Sequence, residues 1–209
     1  MTSRRSSFRR AAIATAVTGA ATALVVGVAP SASADTIWEL NYYADVTSTI
    51  KKLNQTVNFP RGTASTSLNL DSRKVVAGTV NLPAASTTMK IAGLPLVKVT
   101  QKVEQVGTVT GTLGAENAIS VTQKFNIRIT RVEALGIPIN LVPSTCITST
   151  PVTAVLSGKL GGFYDPYTLN GTYTIPKFKD CGLNTALLNL AIPGAGNTLK
   201  ATFSLQPAW

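Results

Sequence analysis

Side chains that could carry out catalysis are few in this chain of 209 residues, which has nine acidic residues and no histidine. Histidine is the commonest general base near neutral pH and the commonest zinc ligand. Its absence leaves an acid–base site without its usual base and a zinc site without its usual ligand. Two carboxylates could still hydrolyse a glycoside, but the nine acids are dispersed and no spacing pairs any two of them. Ser157-Gly158-Lys159 resembles a strand end and turn more than a Ser–Lys nucleophile pair. We therefore expect a non-enzymatic protein without catalytic residues, a metal site or a cofactor.

Three glutamines are the polar side chains with the most informative placement. They fall on the apolar side of two segments, residues 97–113 and 119–130, in which apolar residues recur at every second position. This period predicts two strands, each with one buried and one solvated face. Gln101, Gln105 and Gln123 share the parity of the apolar residues, so they point to the same side unless a bulge intervenes. The residues predicted to face inward are Val97, Val99, Val103, Val109, Val121, Phe125, Ile127 and Ile129.

A dry core and a cavity would treat these glutamines differently. In a dry core each unpaired amide would cost about 1–3 kcal/mol, whereas a cavity can hydrate the amides or use them to orient a ligand. We therefore expect an enclosed space beside the two strands. The alternative is that the glutamines lie near an edge, a bend or a loop. The candidate ligand-binding residues are Gln101, Val103, Gln105, Val121, Gln123 and Phe125.

The segment between the two strands, residues 114–118, is rich in turn formers and predicts a hairpin. Pairing Leu113 with Ile119 leaves a loop of five residues and keeps both apolar sets on one face. Opposite charges that face each other on the solvated side are favourable. The same register sets two further pairs opposite each other: Glu104 with Arg128, and Gln101 with Arg131.

The rest of the chain also has the composition of strands. Threonine accounts for 25 of the 175 residues after position 34, and β-branched residues favour pleated sheet over helix. The dipeptide Asn170-Gly171 is interpreted as a hairpin turn between Tyr167 and Tyr173. One short helix is predicted over residues 184–190, and Ile192-Pro193-Gly194 ends it. The shorter predicted strands cover residues 44–53, 63–70, 75–82, 87–92, 137–142, 152–157, 168–175 and 198–205.

These segments together indicate the fold class. Strands joined by short loops, without crossover helices between them, predict one antiparallel all-β domain. Both a barrel-like arrangement and a β-sandwich satisfy this pattern. The single short helix lies near the C-terminus in either case.

The first 34 residues have the three parts of a secretory signal. Four arginines come first, an apolar stretch covers residues 11–29, and Ala32-Ser33-Ala34 supplies a site of small residues after Pro30. A transmembrane anchor is the alternative, but threonine and glycine dilute the apolar stretch. We predict a signal peptide at residues 1–34, which directs export of the chain by the Sec or the twin-arginine route. A secreted all-β domain follows at residues 35–209, with no transmembrane segment in the mature chain.

Cys146 and Cys181 are the only cysteines. In an exported chain, two cysteines most simply form one disulfide. Closing a loop of this length would stabilise the fold by roughly 3–4 kcal/mol in the chain-entropy model. A catalytic cysteine would need a partner base such as histidine, and a zinc site would need more ligands than two thiols. We therefore predict a structural disulfide.

The charge distribution bears on the partner. Without residues 1–34 the net charge is +6, and the basic residues are scattered along the chain. A nucleic-acid groove would need clustered basic residues with aromatic residues between them. We therefore expect no nucleic-acid partner.

Three segments carry a resemblance to a known family: CITSTPV at residues 146–152, TYTIPKFKDCGL at residues 172–183 and PGAGNT at residues 193–198. With the arginine- and alanine-rich export signal, they resemble a family of small secreted β-proteins of actinobacteria. The resemblance covers the two-cysteine region best. It implies an extracellular or cell-envelope setting in a Gram-positive, high-GC bacterium, and it brings no catalytic residues. In general architecture alone, the chain also resembles secreted β-barrel carriers of lipids and isoprenoids.

Three functions fit these observations. The first is a non-enzymatic carrier of an apolar or amphipathic ligand, with a lipid or an envelope polymer as the expected partner. The second is a structural or adhesive envelope protein that acts through its outer surface. The third is an outer-membrane pore of a mycolate-type envelope, which the few aromatic residues disfavour, at 6% of the chain. An enclosed cavity of ligand size would favour the first, and a filled core the second.

Overall fold

The computed structural model describes residues 35–90, 96–135, 137, 139–162 and 164–207. The predicted signal peptide at residues 1–34 lies outside this range, as do residues 91 and 92 of the predicted strand at 87–92. The described residues form one antiparallel sheet and one short α-helix, α1 (Thr185–Ala191). The strands are β1 (Ile37–Ile50), β2 (Gln55–Asn58), β3 (Gly62–Asn69), β4 (Lys74–Asn81), β5 (Ala85–Lys90), β6 (Leu96–Leu113), β7 (Ala118–Ala134), β8 (Ile147–Thr148), β9 (Val152–Lys159), β10 (Tyr167–Ile175), β11 (Phe178–Lys179) and β12 (Gly194–Leu205).

Eight of these strands form a barrel-like ring in chain order. β1, β3, β4, β6, β7, β9, β10 and β12 each pair with the next, and β12 pairs back with β1. Short connections favour such an up-and-down meander, because consecutive antiparallel strands become neighbours. The all-β prediction is confirmed. Of the two arrangements that the sequence left open, barrel and sandwich, the structure has a barrel-like ring.

The ring is closed unevenly at one seam. β4 and β6 pair through their backbones only at Lys74 with Thr112 and at Val75 with Gly111. Beyond that point the two strands diverge, and side chains span the space between them. This seam lies between the first three strands of the ring and the five that follow.

The two ends of the ring differ. At the end where β1 finishes and β12 begins, β2 pairs with β1, β5 pairs with the start of β6, and α1 packs its buried Leu188 into the core. At the opposite end, short connections join β3 to β4, β6 to β7 and β9 to β10, and the β6–β7 connection contains a 3-10 turn at Ala115–Asn117. We call the first end the closed end and the second the loop end.

The Cys146–Cys181 disulfide is present, as predicted, with an S–S distance of 1.98 Å. Both cysteines are fully buried at the closed end. The bridge joins the segment before β8 to the segment before α1, and the Thr145 hydroxyl also donates to the Asp180 carbonyl oxygen at 3.0 Å. The helix is thereby tied beneath the ring.

The predicted turn at Asn170-Gly171 is wrong, because both residues lie inside β10. Gly171 pairs with Leu156 on one side and with Leu199 on the other. A Cβ atom at Gly171 would lie 2.2 Å from the Val155 carbonyl oxygen. The glycine therefore lies where two strand backbones approach closely, which is a common reason for glycine within a strand.

The predicted strand at residues 137–142 is also wrong for the residues described. Asn140 makes an isolated bridge to Glu133, and no ladder follows it. Its side chain takes the place of further pairing: Oδ1 accepts from the Val132 N–H at 2.9 Å and from the Val142 N–H at 3.2 Å. A polar side chain that satisfies nearby backbone groups competes with regular strand pairing.

The long hairpin of β6 and β7 has the predicted pairing of Leu113 with Ile119 but not a uniform register. Glu104 lies opposite Asn126, although its carboxylate still reaches Arg128 at 2.7 Å. Gln101 lies opposite Ile129, so its predicted pairing with Arg131 is wrong. Two irregularities cause these shifts, since β-bulges add residues to one strand only. One is at residues 107–109 of β6, opposite Gln123, and the other follows Ile129 of β7.

Candidate functional site

The interior of the ring holds two adjoining chambers. The upper chamber, toward the loop end, has a volume of about 290 Å³. The lower chamber, toward the closed end, has a volume of about 60 Å³. The chambers meet at four residues that line both of them: Val80, Gln123, Leu156 and Phe203.

The walls of both chambers are mainly apolar, as the alternation of the strands requires. The inward positions of β1 illustrate this: Tyr42, Ala44, Val46, Ser48 and Ile50 are all buried. Side chains on alternate positions of every strand reach the interior, so a ring of eight strands encloses a space that its side chains fill only in part. The resulting cavity is suited to an apolar molecule.

Five of the six sequence-predicted ligand-binding residues line this interior. Gln101, Val103 and Phe125 line the lower chamber, Val121 lines the upper one, and Gln123 lines both. Of the apolar residues predicted to face inward, seven are buried, and Val103 is half-buried. The structure thus brings these residues together around one space.

Gln105 is the exception and lines neither chamber. Its side chain spans the seam between β4 and β6. Its Oε1 accepts from the Val80 N–H at 2.7 Å, and its Nε2 donates to the Gly78 carbonyl oxygen at 2.9 Å and to the Gly107 carbonyl oxygen at 2.8 Å. Gln105 therefore supplies hydrogen bonds that a backbone ladder would otherwise make. For Gln105, the alternative considered from the sequence, a position near an edge or a bend rather than beside a cavity, is the correct one.

Gln101 and Gln123 differ from Gln105 in their partners. Neither side-chain amide makes a hydrogen bond with the described residues. Every fully buried polar side-chain atom among those residues does have a hydrogen-bond partner, so the amide atoms of Gln101 and Gln123 are not fully buried. Both amides therefore border space that a small molecule can enter. Each offers a carbonyl acceptor and two N–H donors to whatever occupies the chamber.

The lower chamber contains one polar pair that sequence reasoning missed. The hydroxyl groups of Ser48 and Tyr173 are 2.6 Å apart and buried. Burial raises the pKa of the Tyr173 phenol, and the hydrogen bond with Ser48 opposes this effect only in part. The parity of β1 could have revealed Ser48, since it shares a face with Val46 and Ile50. Only the fold brings Tyr173 to it.

An aromatic cluster forms part of the upper wall. The rings of Tyr167 and Phe203 stack with centroids 5.2 Å apart, and Tyr42 meets Tyr167 edge-on at 5.5 Å. Burial raises the pKa of both phenols, Tyr42 and Tyr167. Both therefore stay uncharged at neutral pH and add no charge to the chamber.

The rim of the upper chamber lies at the loop end. Trp38, which is 41% exposed, lies there with Leu113 and Leu160. Asp165 also lines the rim, where its Oδ2 accepts from the Gly162 N–H at 2.7 Å. Asp165 is the one charged side chain among the described residues that line the two chambers.

The other acidic side chains are placed mainly on the outside. Among the described residues, no group of three or more His, Cys, Asp or Glu side chains could hold a metal ion. Four acids are engaged in ion pairs, namely Asp45 with Arg61, Glu104 with Arg128, Glu116 with Lys159 and Glu133 with Arg131. The interior itself offers apolar side chains, amides and hydroxyl groups for contact with a bound molecule.

Within the part of the chain that the structure describes, no helix has the length and apolar character needed to cross a membrane. In comparisons with protein-family models, curated proteins and solved structures, none matches this chain.

Proposed function

We propose that this protein binds and carries an apolar or amphipathic molecule inside its barrel-like ring. The observation that supports the proposal is the apolar upper chamber of about 290 Å³, which adjoins a second chamber at Gln123. Ligand sites are typically concave and mostly apolar, with a few polar groups that fix orientation. The interior has these properties.

The character of the upper chamber favours an apolar occupant. The chamber has a volume of about 290 Å³, is lined mainly by apolar side chains and opens at the rim. An apolar molecule that moves from water into such a space is stabilised by roughly 25 cal/mol for each Å² of its apolar surface that is buried. An apolar ligand is therefore a more favourable occupant than water.

The two ends of the ring support a direction of entry. At the closed end, Met89, Phe178 and Ile192 line the floor of the lower chamber, and the disulfide holds the segments beneath it. At the loop end, Trp38 and Leu160 line the rim. We propose that the ligand enters past the rim and lies with its apolar part in the upper chamber.

The setting of this activity is proposed from the sequence. The export signal at residues 1–34 and the resemblance to secreted actinobacterial β-proteins favour an extracellular or cell-envelope location. A disulfide is compatible with it, since disulfides persist in oxidising compartments. The expected partner is therefore a lipid or an apolar part of an envelope polymer.

A neutral fluorescent probe, N-phenylnaphthylamine, tests the proposal. We expect its fluorescence to rise on titration with the wild-type protein, and Val121→Phe to weaken the probe's affinity about tenfold or more by filling the upper chamber. Val155→Phe is the matched control, because Val155 is 52% exposed on β9 and lines neither chamber. Thermal unfolding of each variant shows whether the fold is kept. Val109→Phe replaces Val121→Phe if the latter does not fold, because Val109 also lines the upper chamber.

Native mass spectrometry of gently purified protein provides an independent measurement. We expect a non-covalent adduct that organic solvent extracts and that Val121→Phe retains less well than Val155→Phe. If the protein carries no adduct and the probe does not bind, the carrier proposal is wrong. A role of the outer surface would then be the better explanation.

A further inference from the structure

We infer that Gln123 selects ligands whose polar group is an uncharged oxygen, a hydroxyl or a carbonyl, over ligands with a carboxylate. This inference rests on the proposed carrier function and names the class of molecule carried. Gln123 is the one amide that lines both chambers, so a molecule in the larger chamber reaches it. Its side chain makes no hydrogen bond with the described residues, which leaves its full donor and acceptor capacity for a ligand.

The hairpin is irregular at the position of this amide. Gln123 lies opposite residues 107–109 of β6, where the pairing shifts between Val106 and Thr110. Gly107 there has a φ of +71°, a conformation that favours glycine. Bulges at the walls of barrels commonly redirect a side chain toward a site. The irregularity thus accompanies a polar side chain placed at the junction of two apolar chambers.

The charge of the walls determines which polar group is compatible with this position. The described residues that line the chambers include no lysine or arginine, and their one acid is Asp165 at the rim. A carboxylate placed beside Gln123 would lose its hydration without gaining a cation, which is strongly unfavourable. A hydroxyl or carbonyl oxygen loses less hydration, and one hydrogen bond with the amide replaces most of it.

Gln101, the second unpaired glutamine of the interior, lies at a different level from Gln123. It lines only the lower chamber of about 60 Å³, which has room for a few water molecules but not for a long apolar chain. It lies opposite Ile129, six residues further along β7 than Gln123. At about 3.3 Å per residue the two backbone positions are separated by roughly 20 Å along the strand, which is more than two glutamine side chains span. One polar group of a ligand therefore does not contact both amides.

The experiment is competition against N-phenylnaphthylamine at about pH 8, where a fatty acid is ionised. Dodecanol and dodecanoate are the competitors, because they share an apolar chain and differ in the polar group. For the wild type we expect dodecanol to displace the probe at a concentration about tenfold lower or more. Gln123→Met keeps the side-chain length without the amide. It should weaken dodecanol binding about fivefold or more while probe affinity changes less than about twofold.

Gln55→Met is the control, because Gln55 lies on β2 and lines neither chamber. It should leave both the probe affinity and the order of the competitors as in the wild type. Failure of the inference and failure of the carrier function have different signatures. If the probe binds but dodecanoate competes as well as dodecanol, or if Gln55→Met and Gln123→Met have equal effects, the inference is wrong and the carrier function stands. If neither the probe nor either competitor binds the wild type, the carrier function itself is wrong.

Discussion

The side-chain amide of Gln105 donates to the carbonyl oxygen of Gly78 at 2.9 Å, across the seam where β4 and β6 have no backbone ladder. The same amide accepts from the Val80 N–H. Thr108 adds a second side-chain contact, because its hydroxyl oxygen accepts from the Gly78 N–H at 2.8 Å. Two side chains of β6 thus satisfy the exposed backbone groups of β4. This explains how the ring stays closed although its strands diverge.

Gln105→Met is expected to destabilise the fold by about 2 kcal/mol, because it leaves the Val80 N–H and part of the Gly78 carbonyl without a partner. Urea unfolding followed by circular dichroism measures the change. Gln101→Met is the control and should change the free energy of unfolding by less than about 0.5 kcal/mol, since its amide has no hydrogen bond to lose. Equal stabilities for the two variants would contradict the bridging role of Gln105.

The disulfide is expected to contribute about 3 kcal/mol to the free energy of unfolding. It closes a loop between two cysteines with a sequence separation of 35, which lowers the conformational entropy of the unfolded chain. The double variant Cys146→Ala/Cys181→Ala should lower the urea midpoint accordingly. Both sulfur atoms are buried and bonded to each other, so thiol labelling of the native wild type should fail and labelling after reduction in denaturant should succeed. A double variant as stable as the wild type would show that the bridge constrains little.

Gly171→Ala is expected to destabilise the fold by roughly 1–3 kcal/mol, as overpacking does in a close-packed interior. The added Cβ would lie 2.2 Å from the Val155 carbonyl oxygen and 2.7 Å from Cδ2 of Leu156. Gly114→Ala is the control, because its nearest contact would be an ordinary 3.5 Å. Thermal unfolding of both variants compares them. If both lose the same stability, close strand approach at Gly171 is not the cause.

The Glu104–Arg128 pair is expected to stabilise the fold at neutral pH and not in acid. Two hydrogen bonds from Arg128, at 2.7 and 3.0 Å, lower the pKa of the Glu104 carboxyl below its ordinary value of 4.5. A carboxyl with a lowered pKa in the folded state adds stability above its unfolded pKa. That stability disappears as the pH falls through the folded pKa.

Glu104→Gln should therefore cost about 0.5–1 kcal/mol near pH 7, a magnitude typical of partly exposed pairs, and less in acid, at about pH 2. Urea unfolding at both pH values provides the measurement. Glu116→Gln is the control, because the Glu116 side chain is 82% exposed beside Lys159 and its pair should contribute little at either pH. An effect of Glu104→Gln that is the same at both pH values would contradict the electrostatic origin.

The sequence predicted much of the candidate site because parity is a local property. Val121, Gln123 and Phe125 lie on one side of β7 wherever that strand pairs, so their common orientation could be inferred from spacing. The same holds for Gln101 and Val103 on β6. Ser48 was missed although its parity with Val46 was available, because its partner Tyr173 is 125 residues away in the sequence.

The amino-acid sequence by itself determined the strand character of the domain, the Leu113–Ile119 pairing of the long hairpin, the short helix and the partner of each cysteine. Alternation, β-branched residues and a count of two cysteines are all local or compositional signals. Tertiary structure alone decided that the ring closes, that Gln105 spans its seam while Gln123 borders the interior, and that Gly171 lies within a strand. These outcomes depend on which backbone lies opposite each residue. That is decided by pairing between strands distant in sequence and by bulges, which leave no period in the chain.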